Sequence, residues 1–138
     1  MDPNLLYVYG ILKRGKSADL SKFGAKFIGE SKLEGAQLYH VGHGVGLRDI
    51  RPMIDDPTDY GYCTAHGEVW EVPDPLWDWL DRIESNGFAY TRKVVHPFVH
   101  SANEKNGEAL METWVYEHTY PGTVYNRPVE GNDWGGNY

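Results

Sequence analysis

Cysteine is almost absent from this 138-residue chain, which contains Cys63 alone. An intrachain disulfide is therefore impossible, which argues against a secreted domain held together by disulfides. The N-terminal Met-Asp-Pro-Asn lacks the basic start and long apolar stretch of a secretory signal. No apolar run approaches the roughly 20 residues that a membrane-spanning helix needs. Together these absences predict a cytoplasmic protein.

Positive charge is also scarce, with 13 Lys and Arg against 20 Asp and Glu and a net charge of −7. Nucleic acids and anionic membranes are bound through clustered Lys and Arg. Neither is therefore an expected partner. The length predicts one domain over residues 1–138, with a single sizeable core. We expect a monomer or a weak homodimer.

Common cofactor and nucleophile motifs are missing as well. The sequence has no Gly-x-Ser-x-Gly elbow, no Walker A loop and no dinucleotide fingerprint. His96 and His100 flank a strand-like segment, in which residues four apart lie about 13 Å from each other, too far to share one ion. His40 and His43 have no recognisable ligand pattern around them. We therefore expect neither a metal nor a cofactor.

Two further candidate groups favour structural interpretations. Cys63 and His66 are three residues apart, so in a strand they point to opposite faces and do not form a nucleophile–base pair. Cys63 is predicted to be a small, partly buried bystander. Asp55 and Asp56 are adjacent, diverge in extended chain, and are interpreted as loop residues rather than a catalytic carboxylate pair.

The pattern of apolar and turn residues predicts an α+β domain, built on a mixed, strongly curved sheet or small barrel with one main helix. Periodicity, glycine and proline mark the segments. The sequence predicts strands at 5–9, 65–72, 90–99 and 111–117 and extended chain at 25–39. It predicts a helix at 74–86 and a helical turn at 17–23. The predicted connections are loops at 10–15 and 41–64, a hairpin connection at 103–107 and a surface-wrapping segment at 120–138.

Glu84 is the most informative residue, because it lies on the apolar face of the predicted helix. Asp74 and Pro75 suit the start of this helix and Gly87 its end. Leu76, Leu80 and Glu84 follow at i, i+4 and i+8, flanked by Ile83, whereas Asp78, Asp81 and Arg82 are predicted to point elsewhere. Burial raises the pKa of a carboxyl group, as a general base near neutral pH requires. The alternative is a half-exposed Glu paired with Arg92.

A second candidate is the segment Tyr9-Gly10-Ile11-Leu12, where the first predicted strand ends. Gly10 permits a positive φ or close approach to a ligand. Successive N–H groups at such a turn form an anion-binding nest. The alternative is an ordinary strand-ending turn. Lys13 and Arg14 next to it either steer a carboxylate substrate or form a solvated pair.

These elements resemble the γ-glutamylcyclotransferase-like superfamily, in its AIG2-like and γ-glutamylamine cyclotransferase branch. The resemblance covers most of the chain and follows the family's order. It rests on the segments Tyr7-Val-Tyr-Gly-Ile-Leu-Lys-Arg-Gly15, His66-Gly-Glu-Val-Trp-Glu-Val72, Leu80-Asp-Arg-Ile-Glu84, Tyr90-Thr-Arg92-Lys-Val, Trp114-Val-Tyr116 and Gly131-Asn-Asp-Trp134.

The resemblance implies a barrel-like α+β fold of about six strands. It implies that Glu84 is the general base and that the loop Tyr9–Leu12 binds the γ-glutamyl group through backbone atoms. Tyr90 and Tyr116 are candidate pocket walls. The implied reaction cyclises a γ-glutamyl group to 5-oxoproline, releases a free amine and needs no cofactor. Ile11 departs from the Ser or Thr that is usual in the family.

Two other functions remain open at this point. Ile11 favours a small-molecule-binding module of the same fold that has lost turnover. A structural or interaction protein would instead use exposed aromatic side chains, for which Tyr120, Tyr125 and Trp134 are the candidates.

Overall fold

The computed structural model describes residues 4–16, 18–41, 44–83, 90–100, 108–118 and 127–135. Within these ranges the strands are β1 Leu5–Val8, β2 Lys26–Glu34, β3 Ala36–Val41, β4 Gly44–Asp49, β5 Thr64–Glu71, β6 Tyr90–Val95, β7 Phe98–His100, β8 Glu108–Leu110 and β9 Thr113–His118. Helix α1 spans Leu76–Ile83, and short 3₁₀ helices span Leu20–Phe23, Arg51–Met53, Pro57–Tyr62 and Glu130–Asn132. No helix in these ranges is long and apolar enough to cross a membrane.

The strands form one mixed sheet in the order β3-β4-β9-β1-β5-β2-β7-β8, with β6 paired to β9. β1 runs parallel to β9 and antiparallel to β5. A mixed sheet with one main helix confirms the predicted class. The pairing between described strands does not close the sheet, so the expected barrel of about six strands is not confirmed.

The segment 41–64, predicted to be a loop, contains strand β4 and is the largest error of the sequence prediction. Val45 and Leu47 alternate with glycines and are buried. A Cβ on Gly46 would lie 3.0 Å from a methyl of Val41 and 3.1 Å from Cβ of His118. Glycine here lets neighbouring strands approach closely, whereas from the sequence it indicated a loop.

The predicted strand 90–99 is two strands, because Pro97 interrupts it. β6 pairs along its whole length with β9, whereas β7 pairs with β2 and β8. Proline has no N–H for the ladder, so a change of partner strand at this point is favourable. The hairpin connection 103–107 lies outside the described residues, and the strands on either side of it, β7 and β8, are antiparallel.

Helix α1 covers one face of the sheet through Leu80, which is fully buried. It begins two residues later than predicted, after a turn in which the carbonyl groups of Pro73 and Asp74 accept hydrogen bonds. Ile83 is 44% exposed, so it does not flank a buried stripe as predicted. The C-terminal segment also differs from expectation, because Val129 and Trp134 are buried rather than on the surface.

Candidate functional site

The turn Tyr9–Leu12 follows β1, near the point along β9 where the neighbouring parallel strand changes from β1 to β4. β6 occupies one edge of β9 along all of its residues. β1 and β4, both parallel to β9, must therefore share the other edge, with β1 next to Trp114 and β4 next to Glu117. The chain leaves the sheet after Val8, and the turn follows at this split.

The hydrogen bonds of the turn use its carbonyl groups. The carbonyl oxygens of Gly10, Ile11 and Leu12 accept hydrogen bonds from the N–H groups of Lys13, Ala18 and Leu20, respectively, at 3.0–3.2 Å. Among the residues that the structure describes, none accepts a hydrogen bond from the N–H group of Gly10, Ile11 or Leu12. Three successive donors are thus left for another acceptor, as in an anion-binding nest.

Gly10 is required by close packing rather than by its backbone angle. It is not one of the described glycines with positive φ. A Cβ at this position would lie 2.9 Å from Cγ1 of Val45 and 3.9 Å from the ring of Trp134. The positive φ that the sequence allowed is not observed, and the close approach that the structure shows is to Val45 rather than to a ligand.

Hydrogen bonds link the candidate tyrosines to this turn or to residues that pack against it. The Tyr9 hydroxyl donates to the carbonyl oxygen of Tyr116 at 2.5 Å. The Tyr90 hydroxyl donates to the carbonyl oxygen of Val45 at 3.0 Å, and Val45 is the residue that packs over Gly10. The Tyr90 ring meets His118 edge-on, with ring centroids 5.2 Å apart. The structure therefore brings Tyr9, Gly10, Tyr90 and Tyr116 into one region.

Asp81 and Arg92 belong to this region, although the sequence prediction directed Asp81 elsewhere. The Tyr116 hydroxyl donates to the Asp81 carboxylate at 2.6 Å, and a terminal nitrogen of Arg92 lies 3.6 Å from the same carboxylate. The Arg92 guanidinium packs against the rings of Trp77 and Trp114, 5.1 and 4.7 Å from their centroids. This network ties α1 to β6 and β9.

Glu84 lies outside the described residues, immediately after the last residue of α1 that the structure describes. Leu80, four positions earlier in the sequence, lies in the core. Asp81 belongs to the motif Leu80-Asp-Arg-Ile-Glu84, so this motif was the signal in the sequence that could have identified Asp81.

Lys13 and Arg14 make separate contacts with neighbouring segments of the chain. The Lys13 ammonium donates to the carbonyl oxygen of Trp134 at 2.9 Å, and its side chain is only 12% exposed. The Arg14 guanidinium stacks on Phe27 at 3.9 Å, and its backbone N–H donates to Glu68 at 2.8 Å. Both residues thus hold the turn against its surroundings.

One of the three aromatic residues that were candidates for an interaction surface is buried. Trp134 is 3% exposed and packs beside Gly10, so it is not available to a partner. Tyr120 and Tyr125 lie outside the described residues.

Cys63 is occupied by contacts that do not involve His66. Its thiol donates to the side-chain oxygen of Gln37 at 3.0 Å, and burial raises its pKa. A neutral thiol is a poor nucleophile. The described part of the chain contains no group of three or more His, Cys, Asp or Glu side chains that could hold a metal ion.

The Tyr116 hydroxyl should contribute measurably to stability. Tyr116→Phe removes a buried donor to a charged acceptor, so we expect the free energy of unfolding to fall by about 1–2 kcal/mol. Urea denaturation measures this loss. Tyr62→Phe is the matched control, because Tyr62 is 90% exposed and should lose nothing measurable. Equal stability of both variants would contradict the role of the Tyr116–Asp81 bond.

The sequence model of a family described as "Gamma-glutamyl cyclotransferase, AIG2-like" matches residues 6–136. The chain is 28% identical over 126 residues to the "Gamma-glutamylcyclotransferase family protein ytfP" of Citrobacter rodentium, covering 91% of this chain and 85% of that protein. The solution structure of ytfP from Escherichia coli superposes with a TM-score of 0.60 at 25% identity, covering 95% and 96% of the two chains. An AIG2-like protein from Mus musculus shares the fold, with a TM-score of 0.66 at 21% identity over 91% and 83% of the chains.

Proposed function

We propose a function from the premise that the chain belongs to the γ-glutamyl cyclotransferase, AIG2-like family. The protein cyclises the γ-glutamyl group of a γ-glutamyl amine or γ-glutamyl amino acid to 5-oxoproline and releases the free amine. The observation that carries the proposal is the turn after β1, where the N–H groups of Gly10, Ile11 and Leu12 have no acceptor among the described residues.

The substrate supplies its own nucleophile in this reaction. Its α-amine folds back onto the γ-carbonyl, forms the new C–N bond of a five-membered lactam, and the bond to the departing nitrogen breaks. Because nucleophile and carbonyl belong to one molecule, holding the folded conformer supplies the proximity. The rings of Tyr90 and Tyr116 are proposed walls for that conformer.

Protons are moved by Glu84 in this proposal. Its carboxylate takes a proton from the attacking amine and then gives it to the departing nitrogen, so the enzyme ends in its starting state. Support comes from the match to the family motif and from α1, in which Leu80, four residues before Glu84 in the sequence, is buried. Asp81, bonded to Tyr116, anchors this end of the helix.

Negative charge is stabilised by the turn. As the amine attacks, charge develops on the γ-carbonyl oxygen, and preorganised N–H donors lower the barrier most when they meet that oxygen. The N–H groups of Gly10, Ile11 and Leu12 are proposed for this role. In the second version of the proposal the same donors bind the α-carboxylate of the substrate instead.

The direct test is 5-oxoproline release by the purified protein from a panel of γ-glutamyl amines and γ-glutamyl dipeptides. We expect release together with one equivalent of free amine. The competing function is a binding module of the same fold, favoured by Ile11. Saturable binding of the panel without any 5-oxoproline would establish that module and overturn the proposed reaction.

Ile11→Ser should be tolerated. Ile11 is only partly buried and packs against the edge of the core, so its replacement removes modest apolar contact and restores the hydroxyl usual in the family. We expect turnover equal to wild type or up to about tenfold higher, the value of one hydrogen bond. Steady-state kinetics of 5-oxoproline release measures it, with Ile11→Val as the hydroxyl-free control. A drop of more than tenfold in the Ser variant alone would contradict the assignment.

Turnover should not depend on metals or on the thiol. The proposed reaction needs only an amine, an amide, a base and N–H donors, so excess chelator should leave the rate unchanged. Cys63→Ala should keep activity within a few-fold, because the thiol is neutral and faces Gln37. Loss of activity in chelator, restored by added zinc, would contradict this mechanism.

The remaining properties are also proposals. We propose a cytoplasmic protein that acts on a small molecule as a monomer or weak homodimer and binds neither nucleic acid nor membrane, supported by its charge of −7 and its single cysteine. Sedimentation of the purified protein with and without DNA or anionic vesicles tests the partner assignments.

A further inference from the structure

A cavity of about 230 Å³ is bordered by β3, β4, β6 and β9, and none of its lining residues belongs to the turn Tyr9–Leu12. Its floor is apolar and buried, and consists of Leu33, Ala36, Leu47 and Val115. At its rim Leu110 is 59% exposed. At about 30 Å³ per water molecule, the volume equals about eight waters, which suits a small ligand with one short apolar group.

Two ion pairs form the wall of this cavity. The Arg51 guanidinium donates two hydrogen bonds to the Asp49 carboxylate, at 2.9 and 2.7 Å. The Lys93 ammonium pairs with Glu117, whose side chain is largely buried. The Asp49 backbone N–H donates to the Glu117 carboxylate at 2.6 Å, which joins the two pairs.

The four charges act as one cluster. A side-chain hydrogen bond from Arg51 holds the pKa of Asp49 below its ordinary value, and the charge of Lys93 lowers it further. The same bond raises the pKa of Arg51, with the charge of Glu117 contributing. A neighbouring cavity of about 290 Å³ shares Asp49, Lys93 and Glu117, so the cluster is accessible from two sides.

An apolar floor beside two positive and two negative charges restricts the chemistry of a ligand. A wholly apolar molecule would cover charged groups without replacing their hydration, which is unfavourable. All four charged groups already pair with each other, so a singly charged molecule would displace a partner that it does not replace. A molecule with adjacent positive and negative groups and an apolar tail matches both the wall and the floor.

We propose that this cavity binds a free α-amino acid with an apolar side chain. Its ammonium group lies against Asp49 and Glu117, and its carboxylate lies against Arg51 and Lys93. Its side chain packs on Leu47 and Val115. The proposal does not rest on the cyclisation reaction, because none of the lining residues of this cavity belongs to the turn Tyr9–Leu12.

Calorimetry or NMR titration of the full chain with four ligands tests the match. L-leucine contains all three features, leucinamide lacks the carboxylate, 4-methylpentanoate lacks the ammonium group, and glycine lacks the side chain. Each omission removes either a charge-assisted bond or the apolar contact, so we expect each analogue to bind about tenfold or more weakly than leucine. Absence of leucine binding, or equal affinity for leucine and glycine, would overturn the proposal.

Substitutions at exposed lining residues locate the site, and thermal unfolding of each variant checks that the fold persists. Lys93→Gln should lower the ratio of leucine to leucinamide affinity about tenfold, because only leucine has a carboxylate that contacts Lys93. Leu110→Ser should reduce the preference for leucine over glycine. Lys32→Gln is the control, because Lys32 is as exposed as Lys93, pairs with Glu108 elsewhere on the sheet and does not line this cavity. Leucine binding that survives Lys93→Gln unchanged would place the ligand elsewhere and reject the assignment.

Discussion

Glu84→Gln should lower 5-oxoproline formation by about 10²-fold or more, the usual consequence of losing a general base. The amide keeps the size and shape of the carboxylate but does not accept the proton of the attacking amine. We expect the loss in kcat, with KM changed little, because the N–H donors of the turn Tyr9–Leu12 remain to bind the γ-glutamyl group. Stopped assays over a range of substrate concentrations separate the two constants.

Asp78→Asn is the matched control for this loss. It makes the same chemical change, carboxylate to amide, at an exposed position of α1, so the activity of this variant should equal that of wild type. Thermal unfolding of both variants tests whether the fold persists. Wild-type turnover in Glu84→Gln would reject Glu84 as the base, and an equal loss in both variants would indicate damage to α1 rather than to proton transfer.

Gly10→Val should abolish most activity and also destabilise the protein. The added Cβ would lie 2.9 Å from Cγ1 of Val45, and the branched methyl groups would extend toward Trp134. Either the turn or β4 must move. Inserting carbon atoms into a packed region costs about 1–3 kcal/mol, and a displacement of about 1 Å in binding groups lowers a rate about 10²-fold. Kinetics and urea denaturation measure the two effects separately.

A compensating substitution makes the test of Gly10 specific. Gly10→Ala should give a smaller loss of the same kind, and Val45→Ala in the same chain should restore part of it by removing the opposing methyl group. This non-additivity is expected only for residues in contact. Gly135→Ala is the control glycine, since a Cβ there meets nothing within 4 Å. Strict additivity of Gly10→Ala and Val45→Ala would show that their contact is not what requires glycine.

Local patterns were sufficient for several elements of the fold. The apolar run at 5–9 is followed by glycine, and β1 spans Leu5–Val8. The alternation at 65–72 corresponds to β5, and the spacing of Leu76 and Leu80 corresponds to the buried side of α1. These predictions succeed because backbone propensity and side-chain periodicity act over a few neighbouring residues.

Other elements depended on which strands became neighbours. Gly44 and Gly46 indicated a loop, yet they lie in β4, where Gly46 permits the close approach of Val41 and His118. Pro97 was placed inside a strand, yet β6 and β7 on either side of it pair with different strands. Glycine and proline are ambiguous in isolation, since the same residue suits a loop, a bulge or a strand packed tightly against another.

In the candidate site, too, local sequence motifs provided some residues, whereas the tertiary structure provided the contacts between distant segments. The sequence by itself provided the turn at Gly10, the tyrosines and Glu84 as candidates, because each belongs to a short motif. Only the tertiary structure joined Asp81 to Tyr116, set Val45 and Trp134 against Gly10, and united two ion pairs beside a second cavity. Apart from the ion pairs Asp49–Arg51 and Lys93–Glu117 themselves, these contacts connect residues 35 or more positions apart in the chain. Their geometry is set by the shared edge of β9, which brings distant segments together and which no local pattern of residues encodes.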